Sequence, residues 1–147
     1  MAISLTGVAQ ASPATNVRPY DVNMLKYVNQ ARTAHGLKPY KESARLYRVA
    51  HTWAAHMAQT QTLAHNPNAF AQIGAKCPQW THLGENVGDE IGESAAWLFN
   101  LYMSDAPHRQ NILSRKFTDA GIASVQSVNA DGTTSEWDVM DFGTHCA

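Results

Sequence analysis

The last third of the chain constrains the fold most. Gly121 to Val128 and Glu136 to Phe142 each alternate apolar with polar residues, and Asp131-Gly132 sits between them. Alternation on both sides of an Asp-Gly pair reads as an antiparallel hairpin. Two strands alone are marginal in water, so other elements must cover them. The upstream sequence supplies helices for that purpose. Ser43 opens the strongest, with Leu46, Val49, Ala50, Trp53, Ala54 and Met57 on one face at helical spacing. Lys41, Arg45 and Arg48 line another side as a solvated face.

An earlier helix runs from Asp21, its expected cap, to about His35. Leu25, Val28 and Ala31 form its inward stripe, and Gly36 with Pro39 ends it. A shorter helical segment spans Asn68 to Ile73. Residues 77–93 read as a Gly-rich loop with a short strand near Glu85 to Val87. Ser94 caps a helix from Ala95 to about Met103, with Trp97, Leu98, Leu101 and Tyr102 available for packing. Helices first and strands last predict an α+β chain, its helices packed on a small, mostly antiparallel sheet.

At 147 residues the chain is one domain with room for a real core. A formal net charge of −1 gives no overall attraction to nucleic acid. The charge is nevertheless uneven. Residues 1–76 carry eight Lys/Arg against two acids, and residues 77–147 carry three against ten. Two halves that complement each other account for this split. A basic face meeting an anionic partner is the sharper alternative.

"MAISLTGVAQA" is uncharged and ends in Ala9-Gln10-Ala11, an A-x-A pattern like the tail of a secretory signal. Residues 1–17 are therefore expected to be a signal remnant and flexible leader, and 18–147 the domain. No stretch reaches the ~18 apolar residues of a transmembrane helix. Cys77 and Cys146 fit an oxidising compartment and can form a single intramolecular bridge; two free thiols or an intermolecular bond are the alternatives. The chain is expected to be secreted and extracellular, and a monomer.

"VNQARTAHGLKPY", "LAHNPN", "LGENVG", "SDAPHRQNIL", "FTDAGIA" and "WDVMDFG" follow one another between Asp21 and Gly143. In content and order they resemble the CAP superfamily, the SCP or PR-1-like domains, in its bacterial branch. The resemblance implies a three-layer α-β-α sandwich with a central cleft, usually in secreted proteins. It also implies a cleft where two histidines and two acids can hold a divalent metal, since imidazole and carboxylate suit Zn²⁺.

His65 matches the first family histidine and Glu85 the first acid. Asp105 takes the second acid's place, three residues after Tyr102, although it is shorter than the usual Glu. Lys116 stands where the last histidine of the eukaryotic pattern would be, and a protonated Lys cannot ligate a metal. His108 is the residue that could fill that gap, giving a tentative metal set of His65, Glu85 and His108. His82, three before Glu85, is a bystander at the cleft. Arg109 and Asn111 are expected to fix their loop by bonding carbonyls and carboxylates.

Catalytic patterns are missing from the sequence. No G-x-S-x-G surrounds a serine, no HExxH occurs, and no Gly-rich phosphate loop or basic-aromatic interleaving is present. No catalytic residue is assigned, and nucleic acid is not expected as a partner. The leading expectation is a secreted cleft that binds a small apolar or amphipathic molecule such as a fatty acid, with or without a divalent metal. A metal- or heme-binding redox protein and a metal-dependent hydrolase are the alternatives. Zn²⁺ or another divalent ion is the candidate cofactor, with heme the weaker one, and a host or cell-envelope partner is a further candidate.

Overall fold

Ser43 and Ser94 act as their positions predict. Each side-chain oxygen accepts the backbone N–H three residues on, from Leu46 and from Trp97, and so opens a helix. In the computed structural model, which describes residues 17–147, these are α2 (Ala44–Thr60) and α4 (Ala95–Ser104). The other helices are α1 (Pro19–Ala34), α3 (Ala69–Lys76) and α5 (Ala106–Ile112). The strands are β1 (Lys41–Glu42), β2 (Leu83–Ile91), β3 (Asp119–Val128) and β4 (Thr134–Gly143). The expected leader falls almost wholly on residues 1–16, outside those described.

The hairpin forms as β3 and β4, paired antiparallel from Asp119↔Gly143 to Val128↔Thr134. β2 joins the far side of β4 antiparallel, and β1 lies parallel to the start of β3, giving the order β1-β3-β4-β2. β2 is nine residues long, so the loop with a short strand expected here is corrected to a full edge strand.

Strand parity divides the core in two. Val87, Ala123, Trp137 and Val139 face α2 and pack on Tyr47, Ala50, Ala54 and Met57. Ala120, Ile122, Met140 and Phe142 face the other way, onto Met24 and Val28 of α1, Leu98 and Tyr102 of α4, and Ile112 of α5. This is the three-layer α-β-α sandwich. α2 can lie so close because β3 has no side chain at Gly121; a Cβ there would stand 2.1 Å from the Tyr47 nitrogen.

Three expectations need adjusting. The inward stripe of α1 is Asp21, Met24, Val28 and Arg32, with Leu25 and Ala31 only half-buried. Asp21 lies inside the first turn rather than capping it, and accepts hydrogen bonds from Ser124 and Tyr47. Trp97 and Leu101 are exposed, because α4 packs through Ala95, Leu98 and Tyr102 instead.

Polar side chains fasten the layers. Arg18 forks onto both oxygens of Glu136 and so ties the start of α1 to β4. Arg32 donates to the carbonyls of Lys38, Ile112 and Ser114 at 2.8 Å each. Tyr102 donates to buried Asp138 at 2.8 Å, and burial pushes that carboxyl well above its usual range. Cys77 and Cys146 are joined as a disulfide, which pins the chain's end against α2 and α3.

Candidate functional site

The edge strand β2 carries Glu85 toward the α2 side of the sheet, where the chain leaving α2 passes over it. His65 lies on that connection, and its Nδ1 is 2.8 Å from Glu85 Oε1. The backbone N–H of Asn66 donates to the same oxygen at 2.9 Å. With Glu85 ionised, Nδ1 carries a proton, and in the neutral ring this leaves Nε2 as a free acceptor. The His65 side chain is 65% exposed, whereas that of Glu85 is 5% exposed. Burial raises the Glu85 pKa, and the Asn66 and His65 hydrogen bonds work against that rise.

Behind this pair lies a carboxyl that the sequence reading missed. Asp141 of β4 sits directly across the ladder from Glu85, so both side chains leave the same face. Asp141 is fully buried, and among the described residues neither of its oxygens has a hydrogen-bond partner; Glu85 Oε2 is also sealed without one. Burial first, and the Glu85 charge second, hold the Asp141 pKa well above the usual carboxylate range. Asp141, with no donor and the stronger upward push, is the member of the pair that holds its proton more tightly, and Glu85, with two donors on Oε1, is the one that ionises more readily. The signal was present in "WDVMDFG": Trp137, Val139 and Asp141 share a face, and an acid in that row has to be buried.

Around His65 and Glu85 opens a cleft of about 490 Å³. Pro67, Ala69, Phe70 and Leu83 give it an apolar wall, and Asn111 reaches it from α5. Phe70 is 58% exposed, so this wall is open to a ligand. Asn111 donates to the Glu85 carbonyl at 3.2 Å and to Asn86 Oδ1 at 2.8 Å, and Asn86 donates to the His108 carbonyl at 3.1 Å. α5 is clamped to the edge strand by amides. Arg109 donates to the Met103 carbonyl, so both residues hold backbone as expected.

Asp105 and His108 do not join the His65–Glu85 pair. Asp105 caps α5 by accepting the His108 backbone N–H, and its Oδ2 also lies 2.5 Å from His108 Nδ1. The His108 ring packs beside Tyr102, with centroids 5.0 Å apart. The two residues satisfy each other at a helix start. Lys116 is exposed, and so is His82, whose Nδ1 lies 3.2 Å from Thr81 Oγ1. Neither lines the cleft.

Among the described residues no group of three His, Cys, Asp or Glu side chains is placed to hold a metal ion. His65 and Glu85 offer a two-point grip, and Asp141 is sealed behind Glu85 rather than turned to the cleft. The expected set of His65, Glu85 and His108 therefore does not fit a divalent ion's coordination shell, because His108 is committed to Asp105.

Residues 25–142 match the sequence pattern of the CAP, or cysteine-rich secretory protein, family. The chain belongs to the CAP family. Solved structures with this fold include an outer surface protein of Borrelia burgdorferi, with a TM-score of 0.70 at 14% identity over 86% of this chain and 94% of that one. An extracellular SCP-domain protein of Bacillus anthracis gives 0.69 at 16% identity, over 85% of this chain but 40% of that one. A cysteine-rich secretory protein of Staphylococcus aureus gives 0.66 at 20% identity, over 89% and 40%. The chain thus spans less than half of these last two. No curated protein matches the sequence. In this CAP domain His65 and Glu85 are in direct contact. Among the described residues no helix is long and apolar enough to cross a membrane.

Proposed function

We propose that this CAP domain is a secreted binding module whose His65–Glu85 cleft takes a small amphipathic molecule of the fatty-acid or lipid class. One observation carries the reading: exposed Phe70, with Pro67, Ala69 and Leu83, forms an apolar wall in the same cleft as a polar pair with one free acceptor, His65 Nε2. An apolar tail on that wall loses water-exposed surface, and the head group hydrogen-bonds at Nε2. Because Glu85 holds Nδ1–H in place, the head that fits is a donor. A hydroxyl, or an acid in its protonated form, suits the site better than a free carboxylate. None of the lining residues is a Ser, Thr or Cys, so the cleft brings no side-chain nucleophile of that kind to a bound molecule.

Titration with a fluorescent fatty acid, with a long-chain alcohol as competitor, tests the reading. Saturable binding is expected, with the alcohol competing, and Phe70→Ala should weaken it about 10-fold, the loss of one aromatic contact. His65→Ala should weaken it and abolish the preference for a donor head. A linear, unsaturable response, or one that Phe70→Ala leaves unchanged, overturns the proposal.

A further inference from the structure

A second pocket of about 470 Å³ opens between the turn after α1 and the segment before β3, and shares no residue with the His65–Glu85 cleft. Four cationic side chains, Arg32, Lys38, Lys41 and Arg115, line it, and no acid does. Arg32 is its buried floor, only 3% exposed. Its Nε and Nη1 donate to three carbonyls, and its Cζ lies 3.5 Å from the centroid of the Tyr40 ring. None of these partners carries a full negative charge, and Nη2 makes no hydrogen bond among the described residues.

No carboxylate pairs directly with these cations. Among the described residues none of the four cations has a carboxylate oxygen within 4.0 Å. Residues 1–16 contain no Asp or Glu to supply one. Asp119, beside Lys41 in register, is buried and accepts instead from Thr118 Oγ1 and the Cys146 N–H. Burial pulls the Arg32 pKa below its ordinary value, as expected of a guanidinium without an ionic partner. Like charges gathered beside the apolar surface of Leu37, Pro39 and Phe117 repel one another, and an anion reverses the sign of that interaction.

We propose that this pocket is an anion site for a phosphoryl or sulfuryl group, with Arg32 Nη2 at its floor and Lys38, Lys41 and Arg115 around the group's oxygens. The planar guanidinium supplies a directional contact, and the flexible lysines supply charge. The group can belong to a free soluble anion or to a lipid headgroup, since both present the same oxygens.

The full chain, labelled with ¹⁵N, is titrated with inorganic phosphate at constant ionic strength, with chloride as reference. Saturable shifts are expected at the amides of residues 36–38, 40–41 and 115–118, with no comparable response to chloride. A Lys38→Ala/Arg115→Ala double variant, made at exposed positions, should keep its thermal midpoint and bind phosphate about 10-fold more weakly. Arg32 is left intact because its carbonyl bonds hold α1 in place. Phosphatidylcholine vesicles with and without phosphatidate distinguish the sources. Capture that depends on phosphatidate, is competed by phosphate and is lost in the double variant assigns a headgroup; phosphate binding without capture assigns a free anion. Shifts that never saturate, that chloride reproduces, or that the double variant leaves unchanged overturn the proposal.

Discussion

Glu85 and Asp141 show how one position changes the chemistry of its neighbour. A carboxyl whose folded pKa is raised favours the folded state at low pH. That stability is fully present below the unfolded value near pH 4 and is lost as pH rises through the folded value. Asp141 and Asp138 both behave this way, each raised mainly by burial. Asp141→Asn keeps the shape and removes the ionisation. It is therefore expected to be more stable than the parent at pH 8 by about 1–2 kcal/mol, with the gap closing near pH 4. Urea unfolding at the two pH values checks this, and an equal gap at both would count against a protonated Asp141. His65 and Glu85 were legible because they stand in short motifs with a known order. The burial of Asp141 was legible in the row it shares with Trp137 and Val139, but its place beside Glu85 was not, since that depends on which residue faces it across the ladder, and register is a tertiary fact.

At the scale of elements, α2 was readable because its apolar residues repeat every three or four positions over its whole length. β2 was read too short. Gly84, Asn86, Gly88 and Asp89 are poor strand formers, and pairing with β4 overrides that preference. α5 hid inside "SDAPHRQNIL": Asp105 as cap and Pro107 in the first turn are start signals, but seven residues carry too little periodicity to announce a helix. The α2–β3 contact yields a sharp expectation. Gly121→Ala drives a Cβ into the backbone at Leu46 and Tyr47, which cannot rotate away. A loss of about 3 kcal/mol is expected in denaturant unfolding. Gly132→Ala, with open space at its Cβ, serves as the comparison and should cost less, its strain coming from a φ of +83° alone. Equal losses at the two glycines would mean that α2 does not sit so close.

For the molecule as a whole, the uneven charge was visible in the sequence but its use was not. The two halves were expected to complement each other, yet among the described residues Arg18–Glu136 is the one Lys/Arg pair with an acid. Several acids of the second half are buried instead, Asp138 and Asp141 among them, and four cations gather in a pocket of their own. The disulfide was legible as one of three outcomes, because spacing along the chain does not say which side chains end up adjacent. Its sequence separation of 69 predicts a loss of about 4 kcal/mol when Cys146→Ser opens the loop, read as a lower urea midpoint that reductant reproduces in the parent chain. The same bond has a topological consequence. It closes residues 77–146 into a covalent ring that contains α4, α5 and all of the sheet but β1. A protease that cuts once inside that ring opens it without releasing a fragment. In an environment rich in proteases the chain can be nicked and still travel as one molecule, coming apart only where thiols are plentiful.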